Sequence, residues 1–153
     1  MGIEPEHRAI LSVAAAAREV ADLAYTVVRR INEPAIPQDR IRAWRSLRLQ
    51  ALAGLDRCVL AELLVGATWA QVAHGYGLTP EQMQKRFEPT LHRWLNGTVL
   101  PEGGPSAEFT TGLVGDTDPA GTAAALDLWI MRHTEPWMDY PIDPVTRAIS
   151  EEY

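Results

Sequence analysis

The sequence predicts an all-α fold: a single multi-helix domain of about five to seven helices, with a long N-terminal helix and a central helix-turn-helix. Three observations carry this. Apolar residues near the N-terminus recur in steps of three and four. Residues 68–87, TWAQVAHGYGLTPEQMQKRF, read as two short helices joined by a tight turn. Apolar residues make up 46 % of the 153-residue chain and charged residues 22 %, enough to bury one core and too balanced for global disorder.

The first helix is expected over residues 6–31. Ile10, Val13, Ala17, Val20, Ala24, Val27 and Ile31 form a heptad-like seam. Leu11, Leu23 and Val28 widen it, so the helix must pack against something. Two occupants are open: the later helices of the same chain, or a second copy in a homodimer. Residues 32–39, NEPAIPQD, then form a linker with two prolines. A helix over residues 38–53 carries Arg40, Arg42, Arg45 and Arg48 between Ile41, Trp44, Leu47 and Leu49. These arginines span more than half of the helix circumference. Some can reach a nucleic-acid backbone and others snorkel or pair with carboxylates. Leu52, Leu55, Val59 and Leu63 continue as a helical stripe that Gly66 ends.

The central motif follows from steric demands. Thr68 suits an N-cap, and Trp69, Val72, Ala73 and Tyr76 fall on one side of the helix after it. Gly77 stands where the turn needs a positive φ, and Leu78 can plug the turn. Thr79 then suits the next N-cap, Pro80 the first helical position, and Gln82 the third position of a capping box. Met83 and Phe87, four apart, form the buried side of the second helix. Pro89 is expected to end or kink it after about two turns. Leu91, Trp94 and Leu95 then make a short apolar turn closed by Asn96-Gly97.

The order Ala73, Gly77, Met83 resembles the general helix-turn-helix pattern. Thr68-Trp69, Val72-Ala73, Gly77-Leu78-Thr79 and Arg86-Phe87 resemble the helix-turn-helix proteins of GC-rich bacteria related to the DNA-reading region of sigma factors. Gly75, inside the first helix, departs from that pattern. The resemblance implies that the helix starting at Pro80 enters the major groove of double-stranded DNA.

On that helix Lys85 lies at the centre of the outward face, flanked by Glu81 and Glu88, with Gln84 and Gln82 on its shoulders. Gln84 can pair with an adenine edge and Lys85 with guanine or phosphate. Arg86, and Arg93 beyond Pro89, are phosphate candidates; Arg86 can equally pin the helix. Thr79, Glu81 and Gln82 complete the expected reading set. The same charges also read as a solvated ridge of self-neutralising pairs.

Charge is unevenly spread. The net charge is −6, yet residues 39–97 hold eight basic and five acidic side chains. Residues 98–153 hold two basic and ten acidic ones. The motif thus sits in the basic part of the chain, as phosphate binding prefers. The acidic C-terminal third serves either solubility or a basic protein partner. Three segments follow: residues 1–38 for packing or dimerisation, 39–97 for DNA, and 98–153 as linker and acidic helical tail.

Residues 98–117 read as a loop, with a short extended piece around Phe109-Thr110-Thr111, either a tether or a drape over the core through Phe109 and Leu113. Asp118-Pro119 and Asp143-Pro144 each read as an N-cap and first helical residue, the first helix reaching His133 and the last ending SEEY. Trp129, Trp137 and Tyr140 are expected to anchor this tail; a stacked ligand is the other use of such rings.

No enzymatic constellation appears. The single Cys58 excludes an internal disulfide and a cysteine-built zinc site, and it reads as a buried helical thiol. His7, His74, His92 and His133 lie far apart in sequence, so neither metal nor cofactor is expected. No run reaches membrane-spanning length, and a cytoplasmic location is expected. The expectation is a homodimeric, sequence-dependent DNA-binding transcriptional regulator. The rival is a non-enzymatic interaction module in which the helix-turn-helix is only architecture.

Overall fold

The computed structural model describes residues 4–96, 118–139 and 141–150. Among these are six helices and no strand: α1 (Pro5–Arg29), α2 (Pro37–Leu64), α3 (Trp69–Tyr76), α4 (Pro80–Leu95), α5 (Pro119–His133) and α6 (Pro144–Ile149). The expected loop at 98–117, Tyr140 and the closing residues 151–153 lie outside the described residues.

α1 and α2 form a long hairpin across which the rest of the molecule is arranged. The helix expected over residues 38–53 and the stripe that continues it are one element, and α2 runs unbroken from the linker to Leu64. Proline supplies the first turn of both helices, where its missing N–H costs no hydrogen bond. Gly66 closes α2 at φ 105°, with Ala67 N–H donating back to the Glu62 carbonyl.

Three apolar clusters hold the elements together. Val59 of α2, Val72 and Ala73 of α3, and Met83 and Phe87 of α4 form the first, with Leu63, Trp69, Tyr76 and Leu78 packed around it. Ala9, Ala61 and Trp94 form the second, which ties the end of α4 to the α1–α2 hairpin. Leu11, Ala123, Leu126 and Val145 form the third, which holds α5 and α6 on the other side of α1. α1 is therefore shared between two partners. Of its seven seam positions, Ile10, Val13, Val20, Ala24 and Val27 are half-buried, and Ala17 and Ile31 are exposed.

Three expectations need correction. Pro89 lies inside α4 and does not end it. The N–H it lacks would have bonded the carbonyl of Lys85, on the solvent side, where water can replace it. Phe87 and Trp94, both buried, hold the helix on either side of the proline. Leu91, Trp94 and Leu95 are thus the continuation of α4 rather than a separate turn.

Asp143 does not cap α6. It takes a left-handed conformation at φ 49° and makes no side-chain cap bond. The buried carboxylate of Asp127, on α5, does this work across the sequence. It accepts from Val145 N–H at 2.8 Å and from Thr146 N–H at 3.0 Å. Asp118 does cap α5, accepting from Gly121 N–H at 3.0 Å. Trp129 anchors the tail as expected, donating to Asp22 at 3.2 Å and stacking on His133. Trp137 does not, being 79 % exposed.

Gly75 and Gly77 should respond oppositely to a methyl group. A Cβ built on Gly75 meets nothing within 4 Å, whereas Gly77 is left-handed at φ 88°. Gly75→Ala is expected to stabilise by about 0.5–1 kcal/mol, and Gly77→Ala to destabilise by about 1 kcal/mol or more. Urea midpoints at constant slope measure both; a loss in Gly75→Ala would refute the open space around it.

Candidate nucleic-acid interface

α3 and α4 are built by local chemistry. Thr68 and Thr79 each cap a helix through a reciprocal box. Gln71 N–H donates to the Thr68 hydroxyl at 3.2 Å, and the Gln71 side chain accepts from Thr68 N–H at 2.9 Å. Thr79 and Gln82 repeat the pair at 3.2 and 3.0 Å. Each box satisfies two donors that a helix start leaves orphaned. Between the boxes Gly77 caps α3 in the left-handed region, and Leu78 N–H returns to the Ala73 carbonyl at 3.1 Å. Only the three residues 77–79 separate the helices.

Burial then fixes how α4 is rotated. Met83 has no exposed surface and Phe87 keeps 3 %. Both point into the cluster made with Val59, Val72 and Ala73. At 100° per residue, Glu81, Lys85, Glu88 and His92 then face the other way. All four are exposed, as are Gln82 and Gln84 on the shoulders. His92 joins this face because α4 continues past Pro89. The far end of α4 is tied down by Trp94, whose indole N–H donates to the Pro5 carbonyl at 3.3 Å.

Thr79 and Gln82 are committed to the capping box through their side-chain oxygens. Glu81, Gln84 and Lys85 lie together on the open face. Arg86 leans back over the apolar cluster while remaining half exposed. Its guanidinium sits 3.9 Å from Asp56, 5.4 Å from the centre of the Tyr76 ring and 5.5 Å from that of Phe87. Arg93 is half-buried and engaged within the molecule. Arg40, Arg42, Arg45 and Arg48 are exposed on the first half of α2. Arg42 pairs with Asp39 at 3.3 Å, and Arg40 donates to the Glu33 carbonyl at 3.3 Å.

The grouping of Asp56, Tyr76 and Arg86 was not apparent in the sequence. Tyr76 donates its hydroxyl to Asp56 at 3.4 Å, and the Tyr76 ring meets Phe87 edge-on at 5.7 Å. Burial pushes the Asp56 carboxyl up from the ordinary aspartate value, against the opposing pull of Arg86 and Tyr76. Burial and the Asp56 charge likewise raise the Tyr76 hydroxyl. Next to it, Arg57 is buried between α1 and α2, donating to the Ser12 carbonyl at 3.3 Å. Burial lowers the Arg57 guanidinium, with Glu19 opposing. Cys58 is half-buried, and burial together with the Glu62 charge raises its thiol, which disfavours the thiolate a nucleophile needs.

Among the described residues no group of three His, Cys, Asp or Glu side chains is placed to hold a metal, and no helix is long and apolar enough to cross a membrane. No protein-family model, curated protein or solved structure matches this chain.

The raised Asp56 carboxyl sets a pH dependence. The folded state holds this proton more tightly than the unfolded chain. Its stabilising contribution is complete below the ordinary value of 3.8 and is lost as pH rises through the higher folded value. Asp56→Asn keeps an acceptor for Tyr76 and removes the charge. Its stability relative to the native chain should therefore rise between about pH 3 and about pH 7. Denaturant melts across that range measure it; a flat or falling difference contradicts the burial cost.

Proposed function

We propose that the protein is a sequence-dependent DNA-binding regulator that presents α4 to the major groove and acts as a homodimer. The observation that carries this is the combination on α4 of a buried apolar side and an open polar one. Met83 and Phe87 fix the rotation of the helix, and Gln84 and Lys85 stand exposed at the level of its first two turns. A helix held this way loses little further freedom on entering a groove. Its short entry turn and two capping boxes favour a fixed angle between α3 and α4.

Base edges would be read by Gln84 and Lys85, with Glu81 accepting from a cytosine amino group and His92 extending the reading face by a turn. Arg40 and Arg42, exposed at the start of α2, are the candidates for backbone contact, together with Arg93. Arg86 has a different part. Paired with Asp56 and lying on Tyr76 and Phe87, it braces α4 rather than a phosphate. Two Glu residues beside one Lys make the reading face close to neutral, so attraction to phosphate rests on few cations. A cytoplasmic location and transcriptional control belong to this reading. An interaction module that binds a basic protein through the acidic tail is the rival, and it predicts no affinity for duplex DNA at any salt.

Lys85→Ala should weaken binding to a selected duplex by about tenfold to a hundredfold and relax sequence choice, as loss of one good base contact does. Fluorescence anisotropy with the selected duplex and a scrambled one measures both. Affinity should fall with salt at a logarithmic slope of about −2 to −4, matching a footprint of a few phosphates. Unchanged binding in Lys85→Ala would remove α4 as the reading element, and no binding to selected or random duplex at low salt would remove the function.

A further inference from the structure

From residue 17 to residue 52 no side chain is buried, although α1 and α2 run side by side through this region. Ile41 is 69 % exposed, Trp44 61 % and Leu52 46 %. Two helices alone cannot enclose a core, so an apolar hairpin of this length calls for a further layer.

The open residues are ordered. Ile41, Trp44, Arg48, Ala51, Leu55 and Cys58 follow steps of three and four along α2, a heptad seam of nearly three repeats. The seam turns away from the side of α2 that packs on α1 through Gly54 and Ala61. It runs directly into a groove of about 460 Å³ between α2 and α3, lined by Leu55, Cys58, Val59, Glu62, Val72 and Tyr76 among others.

Charge along α2 then selects the occupant. The first half of the seam contains Arg48 and is flanked by Arg45, and Glu62 lies just beyond its far end. Among the described residues none of these three forms an ion pair within the molecule. A surface with unpaired cations at one end and an unpaired carboxylate at the other complements itself when turned about a two-fold axis.

We infer that a second copy of this chain packs its α2 antiparallel on this seam, with the two-fold axis beside Ala51 and Leu52. Trp44 then enters the α2–α3 groove of the partner subunit, next to Cys58 of the partner subunit. Arg45 approaches Glu62 of the partner subunit, and Arg48 lies over Leu55 of the partner subunit. The shared stretch from Ile41 to Glu62 is about 30 Å long. A helix pair of that length with an indole seated in each groove reaches the scale of roughly 800 Å² per partner that stable interfaces bury. This locates the dimer contact of the reading above and rests on its homodimeric part alone; no DNA is needed to form it.

Sedimentation of the full chain without DNA should give a dimer at micromolar concentration. Trp44→Glu should raise the dissociation constant about thirtyfold or more, as loss of a central aromatic anchor does, with unchanged helical circular dichroism. In a Cys58→Ser background, Ala51→Cys should cross-link into a covalent dimer under mild oxidation, and Val28→Cys on α1 should not. A monomeric native chain, a Trp44→Glu dimer of native affinity, or cross-linking through Val28→Cys in place of Ala51→Cys would each overturn the inference. DNA binding scored separately by anisotropy distinguishes failure here from failure of the reading helix.

Discussion

The whole exposed face of α4 depends on how Met83 and Phe87 are seated. These two side chains fill the space between Val59, Val72 and Ala73, and they leave α4 one rotation about its axis. A rotation of 100° would bury Gln84 or Arg86 in their place, at a cost of several kcal/mol for an unpaired polar group in an apolar site. The outward row of Glu81, Lys85, Glu88 and His92 is therefore a consequence of the core rather than an independent feature. Trp94, tied to the Pro5 carbonyl and packed on Ala9 and Ala61, extends that constraint to the C-terminal end of the helix.

The cluster of Asp56, Tyr76 and Arg86 adds a second layer of support with an electrostatic cost. Asp56 is partly desolvated, and Arg86 at 3.9 Å and the Tyr76 hydroxyl at 3.4 Å offset that only in part. The arrangement joins α2, α3 and α4 through polar groups at the edge of an apolar cluster, a place where orientation is better defined by directional bonds than by packing alone. Arg86 stays half exposed while it makes these contacts. If α4 meets DNA as proposed, recognition relies on fit and hydrogen bonding more than on raw charge, because Lys85 stands between Glu81 and Glu88.

What could be read from the sequence was local. Thr68, Thr79, Gln82 and Pro80 announce helix starts because a cap acts on residues three positions away. Gly77 announces a turn because its φ is a property of one residue. The apolar sides of α3 and α4 follow from spacing alone. What escaped depends on distant partners. Pro89 reads as a stop until Phe87 and Trp94 are seen buried on both sides of it. Asp143 reads as a cap until Asp127, on another helix, is found bonding Val145 and Thr146. Arg86 reads as a phosphate clamp or a pin with equal justice, because its partner Asp56 lies thirty positions earlier, on α2. The seam on α1 was visible, but its division between α2 on one side and α5 with α6 on the other was not.

The central claim is that α4 meets DNA with the face opposite Met83 and Phe87. Titrating isotopically labelled protein with duplex DNA, and following each amide by nuclear magnetic resonance, tests it most directly. The account predicts shifts concentrated at Glu81, Gln84, Lys85 and Glu88, with α5 and α6 silent. Shifts confined to α5 and α6, or none along α4 at saturating duplex, would contradict it.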